Sequence, residues 1–149
     1  MLTNIILGFV IPWLFGAFLY IKDKKVVLIM FPIGATVSYT INYLGFHFGF
    51  WHLTPILKDE SMSALPLDLG LFALFPCFLV FAIRHIKNSP VAIILVLTCI
   101  ATLLEWLGVL FGKVVFGNDW NIGWTFVSYL VPWAICYWYY KVLKKLECF

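Results

Sequence analysis

The sequence predicts an all-α fold, a single-domain integral membrane bundle of five transmembrane helices over residues 1–149. Apolar residues make up 64% of the chain and charged residues 11%, against about half and about a quarter in soluble proteins. The seven Trp and seven Tyr suit helix ends that meet lipid headgroups, where amphipathic rings are favoured. Five apolar segments approach the ~20 residues that a helix needs to cross a bilayer. They are residues 2–21, 26–50, 67–83, 91–111 and 124–140.

The connections between these segments are short and carry charges or helix breakers, as in "KDKK" after the first and "RHIKNSP" after the third. No soluble domain fits between them. The first segment lacks the positive n-region and the small-residue cleavage site of a signal peptide, so we expect it to be retained as a span. The four cysteines have no CxxC spacing, and no disulfide framework is expected.

Basic residues alternate between the two ends of the predicted helices. Lys and Arg in short loops are retained on the cytoplasmic side during insertion, so the side with more of them is expected to be cytoplasmic. This predicts an outside N-terminus and a cytoplasmic C-terminus. One side carries eight basic residues, Lys22, Lys24, Lys25, Arg84, Lys87, Lys141, Lys144 and Lys145, and the other carries two, Lys58 and Lys113.

The fourth segment contains an intramembrane acid, Glu105, in the stretch "CIATLLEWLGVLFG". An ionised carboxylate at this depth is costly, and such residues are functional candidates by default. The neutral, protonated form is therefore expected, donating to Asn42, to a carbonyl or to a water. A charged Glu105 would need His47, a metal or a bound cation as its partner.

Small and polar residues form stripes along the helices, as expected where membrane helices associate through close backbone contact. Glu105 lies on such a stripe. Two stripes on the second segment predict a central helix with two packed faces, the second face offset by roughly 100°. Four segments carry one stripe each: Asn4, Gly8, Pro12 and Gly16; Gly34, Ser38, Asn42, Gly45 and Gly49; Thr98, Thr102, Glu105, Gly108 and Gly112; and Thr125, Ser128, Pro132 and Cys136. The additional stripe of residues 26–50 is Thr36, Thr40, Tyr43 and His47.

Counting along the spans places the polar residues that could bind a ligand or a proton in the outer half of the bundle. Asn42 and Glu105 lie close enough in depth to meet. Each has a simpler interpretation too: Asn42 as an interhelical contact, His47 as an interfacial residue, and Asp68 as an acid at a helix start, where free amides stabilise it. The predicted ligand-binding or proton-binding residues are Glu105, Asn42, His47, Asp68, Trp106 and Trp120.

A metal site is not predicted. His47, His52, Asp68 and Glu105 are suitable ligand types, but the histidines are five residues apart, about 140° around a continuous helix. No motif for a cofactor is present, so no cofactor is expected. Nucleic acid is excluded as a partner, because the net charge of +3 comes from scattered residues rather than from a basic face.

The segments "ALPLDLGLF", "EW", "NDWNIGW" and "WYYKVL" together resemble a group of small, uncharacterised multi-span membrane proteins of endospore-forming bacteria. The likeness is carried mainly by the second half of the chain. The resemblance implies a bacterial cytoplasmic membrane location, with Asp68, Glu105 and Trp120 as family features. It implies no particular activity.

Three classes of function fit these observations. The first is a non-catalytic subunit or scaffold that packs through its small-residue stripes, with an outward-facing polar pocket around Glu105. The second is a protein that binds or transports a proton or a small amphipathic ligand through Glu105. The third is a membrane-embedded enzyme on a lipid-like substrate, with Glu105 and Asp68 as acid and base and His47 assisting. The expected partners are the lipid bilayer, a second copy or another membrane protein, and a small amphipathic ligand.

Overall fold

The computed structural model describes residues 1–149 and is mostly helical. Short strands and turns interrupt the helices at one end of the bundle. In chain order the elements are α1 (Leu2–Ile5), a π-helical turn (Ile6–Val10), α2 (Ile11–His47), β1 (Trp51–Leu53), α3 (Ser61–Asp68), α4 (Leu71–His85), α5 (Pro90–Leu110), β2 (Val114–Phe116) and α6 (Ile122–Lys145).

Three helical stretches are long and apolar enough to cross a membrane: Leu2–His47, Ser61–His85 and Pro90–Leu110. The remaining long helix, α6, spans 24 residues but carries more aromatic and basic side chains and is not among them. The predicted bundle of five separate helices is thus not reproduced as such. Residues 2–21 and 26–50, predicted as two spans, belong to the first of the three stretches.

That first stretch is broken at Asp23, whose backbone angles, φ −151° and ψ 74°, are not helical. Its Oδ1 accepts a hydrogen bond from Val26 N at 3.2 Å, as a helix N-cap does. The rings of Trp13 and Phe31 then lie 5.1 Å apart, although a straight helix would separate them by about 27 Å. The stretch therefore folds back on itself as a helical hairpin. We call its two halves the N-terminal arm, residues 2–22, and the returning arm, residues 24–47.

Both arms of the hairpin pack on the second stretch, Ser61–His85, through the predicted small-residue stripes. A side chain on Gly8 would collide with Leu67, one on Gly16 with Leu74, and one on Gly34 with the backbone of Ala73. Gly8, Gly16, Gly34 and Gly45 are all buried. The predicted packing face of each arm is therefore used inside the chain.

The prediction of a second packed face on residues 26–50 is wrong. Thr36, Thr40, Tyr43 and His47 are all exposed. Their polar groups need no neighbouring helix, because the Thr36 hydroxyl donates to Pro32 O and the Thr40 hydroxyl to Thr36 O. Tyr43 and His47 stack on each other with ring centroids 6.4 Å apart.

The second stretch, Ser61–His85, begins earlier than the predicted span 67–83 and is interrupted. Instead of one helix from residue 67, α3 ends at Asp68 and α4 begins at Leu71. The break lies at Gly70, which packs directly against the backbone of Gly8 and Phe9 and has no room for a side chain. Asp68 is consequently the last residue of a helix, and its interpretation as an acid at a helix start is wrong.

Two segments that were predicted to be plain loops form a two-stranded antiparallel sheet. β1 pairs with β2 so that Trp51 faces Phe116 and Leu53 faces Val114. Asn4 fastens the N-terminal arm to this region, because its Nδ2 donates to Thr54 O and Ser63 O, each at 3.0 Å. We call this end of the molecule the sheet end.

The opposite end carries most of the basic residues, and we call it the basic end. There Arg84 Nε lies 3.4 Å from Asp23 Oδ2, and the guanidinium sits 5.3 Å from the ring centroid of Phe149. The larger apolar core lies towards this end and includes Leu19, Met30 and Leu79. A smaller apolar cluster of Trp51, Leu53, Ala64 and Val114 lies at the sheet end, and the polar residues of interest lie between the two.

Candidate functional site

Asn42 joins three elements of the fold at one point. From the returning arm its Nδ2 donates to Asp68 Oδ1 at 2.7 Å, and its Oδ1 accepts from Trp51 Nε1 at 3.2 Å. All three residues are buried. An unpaired polar group in this interior would be costly, and Asn42 is the hydrogen-bond partner of one such group on α3 and another on β1. Its amide is thereby fixed in orientation.

Asp68 is the most deeply buried acid of the chain, with 1% of its surface exposed. Oδ1 is held by Asn42, and the backbone carbonyl accepts a long hydrogen bond from Ser38 Oγ at 3.4 Å. Its other oxygen, Oδ2, has no hydrogen-bond partner. No basic side chain pairs with Asp68.

Glu105 lies on α5 and is held by α6. Tyr129 Oη donates to Glu105 Oε2 at 2.6 Å, and Thr125 Oγ1 donates to Oε1 at 3.4 Å. Thr125 is itself held by Trp120 Nε1 at 3.0 Å. The predicted face is confirmed, because Thr98 and Thr102 of the same stripe are buried while the leucines opposite are exposed. The expected partner was different: two hydroxyls contact the carboxyl group, and no cation does.

A small chamber of about 70 Å³, lined by aromatic and a few polar side chains, lies between the returning arm, α4 and α6. Asn42 and Glu105 both line it, as predicted from their depths, although each is hydrogen-bonded to other residues. Its volume is several times the ~10–15 Å³ that one water needs. Aromatic rings form much of the remaining wall: Trp51, Phe72, Phe75, Tyr129 and Trp133.

A second, larger space of about 820 Å³ opens between the N-terminal arm and α5. We call it the lateral groove. Its side walls are apolar and exposed, as at Leu7, Phe15, Leu104 and Leu107. The lining residues from Thr3 to Phe15 extend about 18 Å along the arm at helical rise. Six residues line both the groove and the chamber, namely Asn42, Trp51, Phe72, Phe75, Glu105 and Tyr129.

The six predicted site residues fall into two groups. Asn42 and Glu105 line the chamber, Asp68 is hydrogen-bonded to Asn42, and Trp120 packs at a tilt against Trp51, with ring centroids 4.8 Å apart. His47 and Trp106 are exposed and line neither space. Both point away from the neighbouring helices, and the polar stripe that carries His47 is not a packing face.

Tyr129 and Trp51 belong to the site, although neither was predicted from the sequence. Tyr129 lies one helical turn after Thr125, which the sequence placed on the packed face of its helix, and residues four apart share a face. That spacing was the available signal for Tyr129. Trp51 belongs to β1, which was not predicted, and no pattern in the sequence pointed to its contact with Asn42.

The acid–base arrangement required by the enzyme hypothesis is not assembled. Asp68 is bound to Asn42, Glu105 is bound to Tyr129, and His47 lies outside the site. No three His, Cys, Asp or Glu side chains lie close enough together to hold a metal ion. His52, at the sheet end, pairs with Glu60 at 2.6 Å. The site offers a hydrogen-bonded carboxyl group in an aromatic chamber, an arrangement suited to binding.

We expect the Asn42–Asp68 contact to show as an interaction energy in a double-mutant cycle. Asn42→Leu and Asp68→Leu should each destabilise the protein by about 1–3 kcal/mol, because each leaves a buried partner unpaired. The double variant should lose about 1 kcal/mol less than the two single losses combined, because neither polar group then remains. The measurement is unfolding in detergent, followed by circular dichroism.

The matched control for this cycle is Thr40→Ala, which removes an exposed hydroxyl from the same helix. Combined with Asp68→Leu, it should give additive losses. Additive losses for Asn42→Leu with Asp68→Leu would contradict the described contact.

Comparison of the chain with protein-family models, with curated proteins and with solved structures gives no match.

Proposed function

We propose that this protein crosses a bacterial cytoplasmic membrane five times and binds a small single-chain amphipathic molecule. The polar head of the ligand occupies the chamber beside Glu105, and its hydrocarbon chain lies in the lateral groove. One observation carries the proposal: the chamber and the groove share six lining residues, so a pocket that contains a carboxyl group adjoins an apolar space along the helices.

The five-span topology is supported by the hairpin at Asp23 and by the distribution of charge. Each arm of the hairpin contains about 20 residues, enough to cross a hydrocarbon core of ~30 Å. In α6, 24 residues would extend about 36 Å. The basic end carries eight of the ten Lys and Arg residues, so the proposed orientation places the sheet end outside and the basic end in the cytoplasm.

Ligand binding is supported by the size and the lining of the lateral groove. Its volume of about 820 Å³ lies within the range of ~300–1,000 Å³ that is typical of small-molecule sites. Such sites are mostly apolar with a few fixed polar groups, and here Asn42, Glu105 and Tyr129 supply those groups. Because its walls are exposed along the helices, the proposed entry route is sideways from the bilayer.

The scaffold hypothesis has less support from the geometry. The small-residue stripes that motivated it are occupied within the chain, where Gly8, Gly16 and Gly34 contact Leu67, Leu74 and Ala73. A partner could not use these faces without displacing the chain's own helices. Binding of an amphipathic ligand is therefore the function we propose.

The proposed topology predicts which introduced cysteines react with a membrane-impermeant maleimide on intact cells. The variants are Lys24→Cys, Lys58→Cys and Lys87→Cys, made after replacement of the four native cysteines; all three positions are exposed. We expect labelling at position 58 in intact cells and at positions 24 and 87 only after permeabilisation. Labelling at position 24 in intact cells would contradict the proposed orientation, and labelling at both 24 and 58 would rule out the five-span topology.

Filling the lateral groove should abolish ligand binding. Leu104 lines the groove, whereas its neighbour Leu103 is exposed on the outside of α5 and lines neither space. In nanodiscs, we expect saturable binding of at least one of tritiated decylamine, decanol and decanoic acid. Leu104→Trp should weaken it about tenfold or more, because the indole occupies the space of the chain; tenfold corresponds to about 1.4 kcal/mol.

The matched control is Leu103→Trp, which adds the same ring one residue away and should leave the affinity unchanged. Scintillation proximity counting with the protein captured on beads gives both affinities. Absence of saturable binding for all three probes, or equal loss in the two variants, would contradict the proposed function.

A further inference from the structure

The chamber carries one carboxyl group and no basic side chain. Glu105 is the sole Asp, Glu, Lys, Arg or His residue among those that line it. In the lateral groove the one basic side chain is Lys113, which follows the end of α5 at the sheet end. A negatively charged head in the chamber would face Glu105 without any cation to neutralise it. The charge of the site thus disfavours fatty acids and phosphate-bearing heads.

The contacts of Glu105 leave room for a cation. Both carboxyl oxygens accept hydroxyl hydrogen bonds, from Tyr129 and Thr125, which stabilise a carboxylate without neutralising its charge. In an interior of low dielectric an ion pair with a ligand cation is much stronger than it is in water. A ligand can therefore supply the missing counter-ion.

The chamber wall also suits a cation. Phe75 lies within stacking distance of Trp133, with ring centroids 5.2 Å apart, and within 6.4 Å of Tyr129. Phe72 extends this cluster, 6.2 Å from Tyr129. Aromatic faces attract ammonium groups, by about 0.5–1 kcal/mol at exposed sites and by about 2 kcal/mol or more where water is excluded.

We propose that the ligand is a cationic amphiphile, specifically a single-chain primary amine whose ammonium group pairs with Glu105. This inference rests on the proposed function and specifies the ligand class of the same site. The small volume of the chamber, about 70 Å³, suits a compact ammonium head. The alkyl chain lies in the lateral groove, which Glu105 and Leu104 both line.

The test compares three probes of equal chain length that differ in the charge of the head: decylamine, decanol and decanoic acid. In nanodiscs of zwitterionic lipid, the wild-type protein should bind decylamine at least about tenfold more tightly than decanol. It should bind decanoic acid more weakly than decanol. The signal of protein-free nanodiscs with each probe is subtracted, because it reports partition into the lipid.

Glu105→Gln should remove the preference for decylamine over decanol, because no carboxylate then remains to pair with the ammonium group. Retained decanol binding also shows that the variant is folded. The control is Glu60→Gln, the same change at an acid that pairs with His52 and lines neither space. It should keep the full preference for decylamine.

Equal wild-type affinities for decylamine and decanol, or an amine preference that survives in Glu105→Gln, would overturn the inference while the proposed function stands. Absence of saturable binding for every probe would overturn both. A preference for decanoic acid would overturn the inference and indicate that Lys113, rather than Glu105, selects the head.

Discussion

The structure depends on one side chain, Asn42, which satisfies two buried polar groups that could not otherwise be placed between helices. Asp68 ends α3 and Trp51 begins β1, and the amide of Asn42 holds both. The contact fixes the returning arm against the second helical stretch and ties the sheet end to the bundle. The same amide forms part of the floor of the chamber and of the lateral groove. The position of the site and the stability of the fold therefore have a common origin.

In lipid, helices gain little from burying apolar surface against each other, so close contact and hydrogen bonds determine which faces meet. The small residues of the N-terminal arm pack against α3 and α4, with Gly8 against Leu67 and Gly16 against Leu74. It does not close against α5, and the lateral groove is the space left between them. Glu105 lies at the inner edge of that space, where α6 supplies its hydroxyl donors.

The parts of the fold predictable from sequence are those with a repeated spacing. The recurrence of Gly8, Pro12 and Gly16 marked the buried face of the N-terminal arm, and the stripe from Thr98 to Glu105 placed the acid on the packed side of α5. The charged segment around Asp23 lies where the first helical stretch breaks. In each case the residues themselves carry the physical cause, either close backbone approach or a helix end.

The features that were not predicted correctly depend on contacts between residues distant in sequence. Two polar stripes on the returning arm look alike, and only the positions of the neighbouring helices decide that Asn42 is buried and His47 exposed. The break at Gly70 arises from the approach of Gly8, far away in the chain. Tyr129 lies in an aromatic-rich helix, and its residue type alone did not distinguish it from the tyrosines near the membrane surface.

The most direct test of the central claim is to find where a bound alkyl chain lies. Decylamine bearing a photoreactive diazirine at the end of its chain would be irradiated with the protein in nanodiscs, and the labelled residues identified by mass spectrometry. We expect labels on the groove walls, at Leu7, Ile11 and Leu104, that excess unlabelled decylamine removes. Labels spread over the exposed outer residues Leu103 and Val96, unaffected by competition, would contradict a binding site in the lateral groove.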